Sequence, residues 1–193
     1  MTPEMMKPAV EPTNLPASTQ SLIVGGGCFW CVDSAFRHIT GVKYVLSGYA
    51  GGHIQSPNYE DICTGQSGHA EVVKVWYDPE VTSYDKLLDV FFKVHDPTTL
   101  NRQGHDQGTQ YRSTIMYTNE EQRAAAEETI KKVQDSFSQK IVTEVVALQK
   151  FWPAEEGHQD YWAKNPGDGY CQYTIRPKID KIKGLENFTS SKL

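Results

Sequence analysis

From residue 21 onward the chain alternates short apolar runs with amphipathic stretches. Residues 21–24 are apolar and end in Gly25-Gly26-Gly27, after which residues 32–39 continue in helical types, so the pattern predicts a strand, a glycine turn and a helix. Residues 42–49, rich in Val, Tyr and Leu, predict a second strand that stops at Gly51-Gly52. Residues 51–68 are polar and glycine-spotted and predict a long loop, a place where function is often carried. In residues 71–78 Val73, Val75 and Tyr77 alternate with Lys74 and Trp76, and Glu71 shares the valine face of this predicted strand. A sequence resembling a capping box at Thr82-Ser83-Tyr84-Asp85, followed by Leu87, Leu88, Phe91, Phe92 and His95 at helical spacing, predicts a core-facing helix over 83–95. Residues 96–110 form a second long polar loop. Residues 111–118 predict a strand with Tyr111, Ile115 and Tyr117 on one face. Asn119 caps a helix running through Phe137 with the stripe Ala126, Ile130, Val133 and Phe137. A strand at 143–148, a short helix at 155–163, a turn cluster at 165–169 and a weakly periodic basic tail complete the chain.

That order predicts an α+β fold, a two-layer sandwich in which helices pack on a mixed sheet. The organisation expected is a flexible lead-in over 1–20, a single catalytic domain over 21–184 and a tail over 185–193. The lead-in carries Pro3, Pro8, Pro12 and Pro16 without a basic start or an apolar segment, so it does not read as a secretion signal. A net charge of −5, with no concentrated basic face, argues against nucleic acid as a partner, and no apolar run is long enough to span a bilayer. Four cysteines without a signal point to a reducing, cytoplasmic setting. The final Ser191-Lys192-Leu193 spells a peroxisomal address in a eukaryotic host.

The candidate chemistry concentrates in Gly25-Gly26-Gly27-Cys28-Phe29-Trp30-Cys31. A strand-to-helix turn places Cys28 at a helix N-terminus, where unpaired N–H groups and the helix dipole favour an anion, so Cys28 is expected to be partly thiolate near neutrality. Cys31, three residues on, suits a Cys-x-x-Cys disulfide. The same spacing is half a zinc site, with Cys63 and Cys171 as further thiols, but no second Cys-x-x-Cys or spaced histidine pair accompanies it. Neither of the glycine patterns that cradle phosphates can be read through it. Glu71, if its face is buried, is a carboxyl whose pKa rises on desolvation and which can then act as a general acid; a solvated strand-end glutamate is the alternative. His95 and His158 read as structural. A Cys/His hydrolase using His69 or His105, a plain dithiol-disulfide oxidoreductase using Cys28 and Cys31, and a zinc-binding interaction module are the rival functions.

Gly27-Cys28-Phe29-Trp30, Gly48-Tyr49-Ala50-Gly51-Gly52, Gly68-His69-Ala70-Glu71-Val72, His95-Asp96-Pro97-Thr98-Thr99, Asn101-Arg102-Gln103-Gly104 and Gly108-Thr109-Gln110-Tyr111-Arg112-Ser113 together resemble the peptide methionine sulfoxide reductase A family. The resemblance runs from about residue 22 to about residue 183. It implies a ferredoxin-like α+β core and reduction of the S epimer of methionine sulfoxide, free or in proteins. It also implies no bound cofactor, thioredoxin as electron donor and a monomer. Carried onto this chain, it makes Cys28 the nucleophile and Glu71 the acid that protonates the sulfoxide oxygen. Phe29 and Trp30 then wall the methyl pocket, Tyr59 and Tyr111 hydrogen-bond around Glu71, and Asp106 is a polar pocket residue. Many family members have glycine where Cys31 stands, so the partner of Cys28 in the first disulfide is left open between Cys31 and Cys171, with Cys63 a relay.

Overall fold

The computed structural model describes residues 2–190. Met1 and the tripeptide Ser191-Lys192-Leu193 lie outside the described residues. The elements run β1 (Gln20–Gly25), α1 (Phe29–Arg37), β2 (Val42–Ala50), α2 (Tyr59–Cys63), β3 (Ala70–Tyr77), α3 (Tyr84–Val94), the short β4 (Arg102–Gln103) and β5 (Asp106–Gln107), then β6 (Thr114–Tyr117) and α4 (Glu120–Val133). They continue with β7 (Glu144–Ala147), β8 (Phe151–Pro153), α5 (Tyr161–Lys164), a π-helical turn (Cys171–Ile175) and α6 (Arg176–Ile182).

The main sheet has the order β7-β6-β1-β3-β2-β8, antiparallel throughout except for the parallel β6–β7 edge. Its inner strands β6-β1-β3-β2, linked by α1 between β1 and β2 and by α3 between β3 and β6, have the ferredoxin-like order. The alternation read from the sequence decides the two faces. Leu22, Val24, Val45, Tyr49, Val73 and Val75 face the helices with Phe36, Leu88, Phe91 and Ile179, whereas Ile23, Leu46, Val72 and Met116 face the other way and pack with Phe151. The valine face of β3 is therefore the helix-covered face, and it carries Glu71 into the interior.

Four expectations are corrected. The loop over 51–68 contains α2, whose Asn58 and Asp61 form a reciprocal capping box; five residues are too few to show a helical period. Residues 109–111 form a 3-10 turn, so the strand expected from 111 starts only at Thr114. The helix expected over 155–163 is broken, because Asp160 adopts a left-handed conformation (φ 49°) between a 3-10 turn at Glu156–His158 and α5. The lead-in, expected to be flexible, is anchored on the sheet face opposite the helices: Ala9 is buried and donates its N–H to the Ala154 carbonyl, and Glu11 pairs with Lys74 at 2.9 Å.

The C-terminal half is fastened to the sheet by a side chain that imitates a strand. The buried Gln159 amide accepts from the Ser47 N–H at 2.8 Å and donates to the Ser47 and Ala154 carbonyls at 3.0 and 3.1 Å, continuing the β2 ladder past β8. Gln159→Leu strips the buried Ser47 N–H of its partner and should cost about 2–3 kcal/mol; urea unfolding is expected to show a lower midpoint with an unchanged slope.

Candidate active site

The three glycines after β1 are set by close packing. A Cβ on Gly25 would stand 2.5 Å from the Glu71 carbonyl oxygen, and Gly27 turns at φ +90° with Gln103 2.6 Å from where its Cβ would be. The turn leaves Cys28 as the N-cap of α1, with no side-chain cap of its own. Phe29, the first helical residue, donates its N–H to Glu71 Oε2 at 2.9 Å. A carboxyl from the neighbouring strand thus satisfies a donor that the helix start leaves open. Glu71 is 2% exposed, so it is the buried alternative that the structure selects. Burial, only partly offset by the Phe29 hydrogen bond, raises its pKa to about 8, and the charge of Asp106 adds to the rise.

The two neighbouring thiols are shifted in opposite directions. Cys28 is pushed well above the usual thiol range, first by burial, then by its hydrogen bond with Cys31 and the charge of Glu71. Cys31 is brought down to about 7, chiefly because the Cys28 thiol hydrogen-bonds to it, with help from the Lys178 ammonium and against the effect of its own burial. Burial thus works against the resting Cys28 thiolate expected from the helix start, and of the two thiols Cys31 is the one brought down. Helix-dipole stabilisation of about 0.3–1 kcal/mol does not offset full burial beside a second thiol and a carboxyl.

Around this pair the structure gathers most of the predicted residues. The charge of Glu71 acts on both Tyr59 and Tyr111, whose phenols are raised mainly by burial. Neither makes a hydrogen bond to Glu71, so the expected bonds around the carboxyl are replaced by proximity. Asp106, at the start of β5, accepts from the Tyr170 hydroxyl at 2.8 Å, and the same hydroxyl lies 3.8 Å from Cys31 Sγ. Phe29 is buried against Tyr49 and His158. Trp30 is half-buried, with Tyr161 stacked on it at 3.7 Å and 6° and Tyr170 edge-on at 5.8 Å. Cys171 is buried and its thiol raised to about 11 by burial and the charge of Asp168. Cys63 is exposed at the end of α2.

Several residues near the pair were not singled out from sequence. Tyr170 and Tyr161 follow turns and show no periodicity. Glu155 accepts from Tyr59 N–H at 2.8 Å and from the Tyr49 hydroxyl at 2.9 Å, holding the start of α2 as Glu71 holds that of α1. Arg112 bridges Glu144 and the Gly68 carbonyl, tying the approach to β3 onto the β6–β7 edge. The structural reading of His95 agrees with its bonds to the Phe91 carbonyl and the Ser113 hydroxyl. The His158 ring makes no hydrogen bond; it packs on Tyr59 at 4.4 Å with its Nε2 3.9 Å from Glu155 Oε2, and burial lowers its pKa.

The arrangement favours some chemistry over the rivals. His69 is engaged at both ring nitrogens, with the Gly52 N–H and the Ile54 carbonyl, and His105 is exposed in the β4–β5 turn, so neither serves Cys28 as the base a hydrolase needs. Among the described residues no three Cys, His, Asp or Glu side chains are grouped to hold a metal ion. Nor is there, among them, a helix long and apolar enough to cross a membrane.

Known proteins are similar to this chain in sequence and in fold. A curated peptide methionine sulfoxide reductase MsrA from Nautilia profundicola is 53% identical over 167 residues, covering 86% of this chain and 95% of its own. The structure is similar to Mxr1 from Saccharomyces cerevisiae in reduced form, with TM-score 0.77 and 34% identity over 81% of this chain and 91% of that one. It is also similar to Mxr1 in complex with Trx2, with TM-score 0.55 and 25% identity over 76% and 86% of the two chains. The family model for peptide methionine sulfoxide reductase matches residues 20–190, and the chain belongs to that family.

Proposed function

We propose that this protein reduces the S epimer of methionine sulfoxide, free or within proteins, through Cys28, Glu71 and Cys31, and that thioredoxin returns it to the dithiol state. The observation that carries the reading is the buried Glu71 carboxyl. It holds its proton up to about pH 8 and is hydrogen-bonded to the first residue of the helix that Cys28 caps.

A sulfoxide oxygen leaves poorly until it is protonated, so a sulfur nucleophile needs a neutral acid beside it. In the first half-reaction the Cys28 sulfur attacks the sulfoxide sulfur and Glu71 gives its proton to the oxygen. Cys28–SH and the sulfoxide become Cys28–SOH and the thioether: the substrate sulfur gains two electrons and the Cys28 sulfur loses two. The Cys28 proton leaves as its sulfur bonds to the sulfoxide sulfur, with Cys31 one helical turn away as the neighbouring thiol. Trp30 and Phe29 offer the apolar wall for the substrate methyl, and Tyr59, Asp106 and Tyr111 the polar side.

In the second half-reaction Cys31 attacks the Cys28 sulfenic acid, forming the S–S bond and releasing water. Cys31 is favoured over Cys171 because it lies one helical turn from Cys28 and its thiol is lowered, whereas the thiol of Cys171 is raised. The pair lies at one end of α1, with the Cys31 N–H on the Cys28 carbonyl at 3.1 Å, close to the spacing an exchange partner meets in Cys-x-x-Cys proteins. All electrons come from thiols, so the cycle needs no bound cofactor, and the Mxr1 complex with Trx2 supports thioredoxin as donor. A monomer in a reducing, cytoplasmic compartment fits four unpaired cysteines.

The acid role sets the pH dependence. A carboxyl with a raised pKa is protonated below that value, so kcat/KM is expected to fall as pH rises through about 8. Glu71→Gln should lose that limb and slow sulfoxide reduction by roughly 10²–10⁴-fold, while exchange of Cys28 and Cys31 with a small disulfide changes little; an unaltered reduction rate would refute the role. Oxidation by one equivalent of substrate, followed by peptide mass mapping, is expected to find Cys28 joined to Cys31. A bridge from Cys28 to Cys171 or Cys63 would sink that pairing.

A further inference from the structure

The family match begins at residue 20, yet the residues ahead of it are fastened to the wall of the active site. Residues 5–9 run antiparallel beside residues 154–157, with Pro8 bridged to Glu155. The Ala9 N–H donates to the Ala154 carbonyl at 2.9 Å, and the Glu156 and Gly157 N–H groups donate to the Lys7 and Met5 carbonyls at 2.8 and 2.9 Å. Ala9 is buried in the cluster that includes Phe151, and the Lys74 ammonium lies 2.9 Å from both carboxylate oxygens of Glu11. The lead-in therefore grips the backbone before and after Glu155. Glu155 is itself the fastening of α2: its carboxylate accepts the Tyr59 N–H at 2.8 Å and the Tyr49 hydroxyl at 2.9 Å. Three residues on, the His158 ring packs on Tyr59 at 4.4 Å and lies 5.5 Å from Phe29 and 5.7 Å from Trp30. A hydrogen bond of this kind weakens steeply beyond about 3.2 Å, so a Glu155 backbone free to drift by about 1 Å would lose the Tyr59 N–H.

We propose that the lead-in is a strap whose residues 5–9 position Glu155, and through it Tyr59, for binding the sulfoxide. This rests on the reading in which Tyr59 lines the polar side of the substrate pocket. The path is continuous: lead-in backbone, Glu155 backbone, Glu155 carboxylate, Tyr59 N–H. The first N–H of α2 fixes where that helix starts, and so where the Tyr59 side chain projects. The strap is held by its backbone bonds, by one small side chain and by one ion pair. Ala9 is buried between exposed Pro8 and Val10, and Glu11 meets Lys74 just beyond. A charge at Ala9 would be buried without a partner, which is costly enough to release the strap while the sheet beneath it stays intact.

The full reduced chain tests this with Ala9→Asp and with Glu11→Lys, which turns the pair with Lys74 into a repulsion. Ala9→Gly keeps the N–H and is expected to follow the parent. Release of the strap is read from faster amide exchange at Glu156 and Gly157. Exchange at the Tyr59 amide is then expected to quicken about tenfold or more, while the amides of β1 and β3 keep their rates. With a small dithiol as reductant, KM for methionine sulfoxide is expected to rise about three- to tenfold, with kcat within about twofold of the parent. In a Glu155→Met background, which keeps the volume and removes both acceptors, Ala9→Asp should add less than about twofold, because the path to Tyr59 is already cut. A released strap that leaves Tyr59 exchange and KM unchanged overturns the proposal. So does an equal fall in kcat/KM in both backgrounds, the mark of a general loss of stability. Glu156 and Gly157 amides that stay protected in both variants show that Ala9 and Glu11 do not hold the strap, and overturn it too. If Tyr59 exchange quickens and KM does not move, it is the pocket role of Tyr59 that fails, and with it any catalytic consequence of the strap.

Discussion

One hydrogen bond organises this molecule: the carboxyl of Glu71, on a central strand, accepting the N–H of Phe29 at the head of α1. A helix start leaves its first donors open, and a carboxyl buried between sheet and helix needs a donor, so each satisfies the other where neither meets water. The glycines between β1 and α1 are the condition for it. A side chain at Gly25 would collide with the Glu71 backbone, and one at Gly27 with Gln103, moving the helix head off the carboxyl.

The same enclosure decides which groups are charged. The field at the end of a helix is a modest effect that falls off within a turn, whereas burial acts on every ionised form in the site. Cys28 and Glu71 are both driven towards their neutral forms, whereas the Cys31 thiol is brought down. A carboxyl that keeps its proton near neutrality suits a substrate that must receive one as it is attacked. A site that held Cys28 and Glu71 both ionised would repel itself and lack the proton.

Glu155 repeats the device a short distance away, accepting the first N–H of α2 and the Tyr49 hydroxyl, and so fixing the helix that carries Tyr59 and Cys63. Gln159, four residues on, continues the sheet ladder with its side chain. The segment after β8 therefore has little regular structure but many buried polar bonds, and it brings Tyr161 and Tyr170 over Trp30 and Cys31.

The alternation along β3 and the helical stripes of α1, α3 and α4 were legible in the chain because burial of one face leaves a period. That period was enough to turn Glu71 inward and to anticipate an α+β sandwich, and the motifs around Cys28 carried the family. Residues whose place depends on partners far along the chain left no such trace. The short capped helix α2, the break at Asp160, the anchoring of the lead-in through Ala9, and the approach of Tyr170 to Cys31 all arise from contacts between distant segments. The Cys28 thiol was the sharpest case: local position alone pointed to a lowered pKa, and only the closed packing around it, which no spacing records, pushes it up instead.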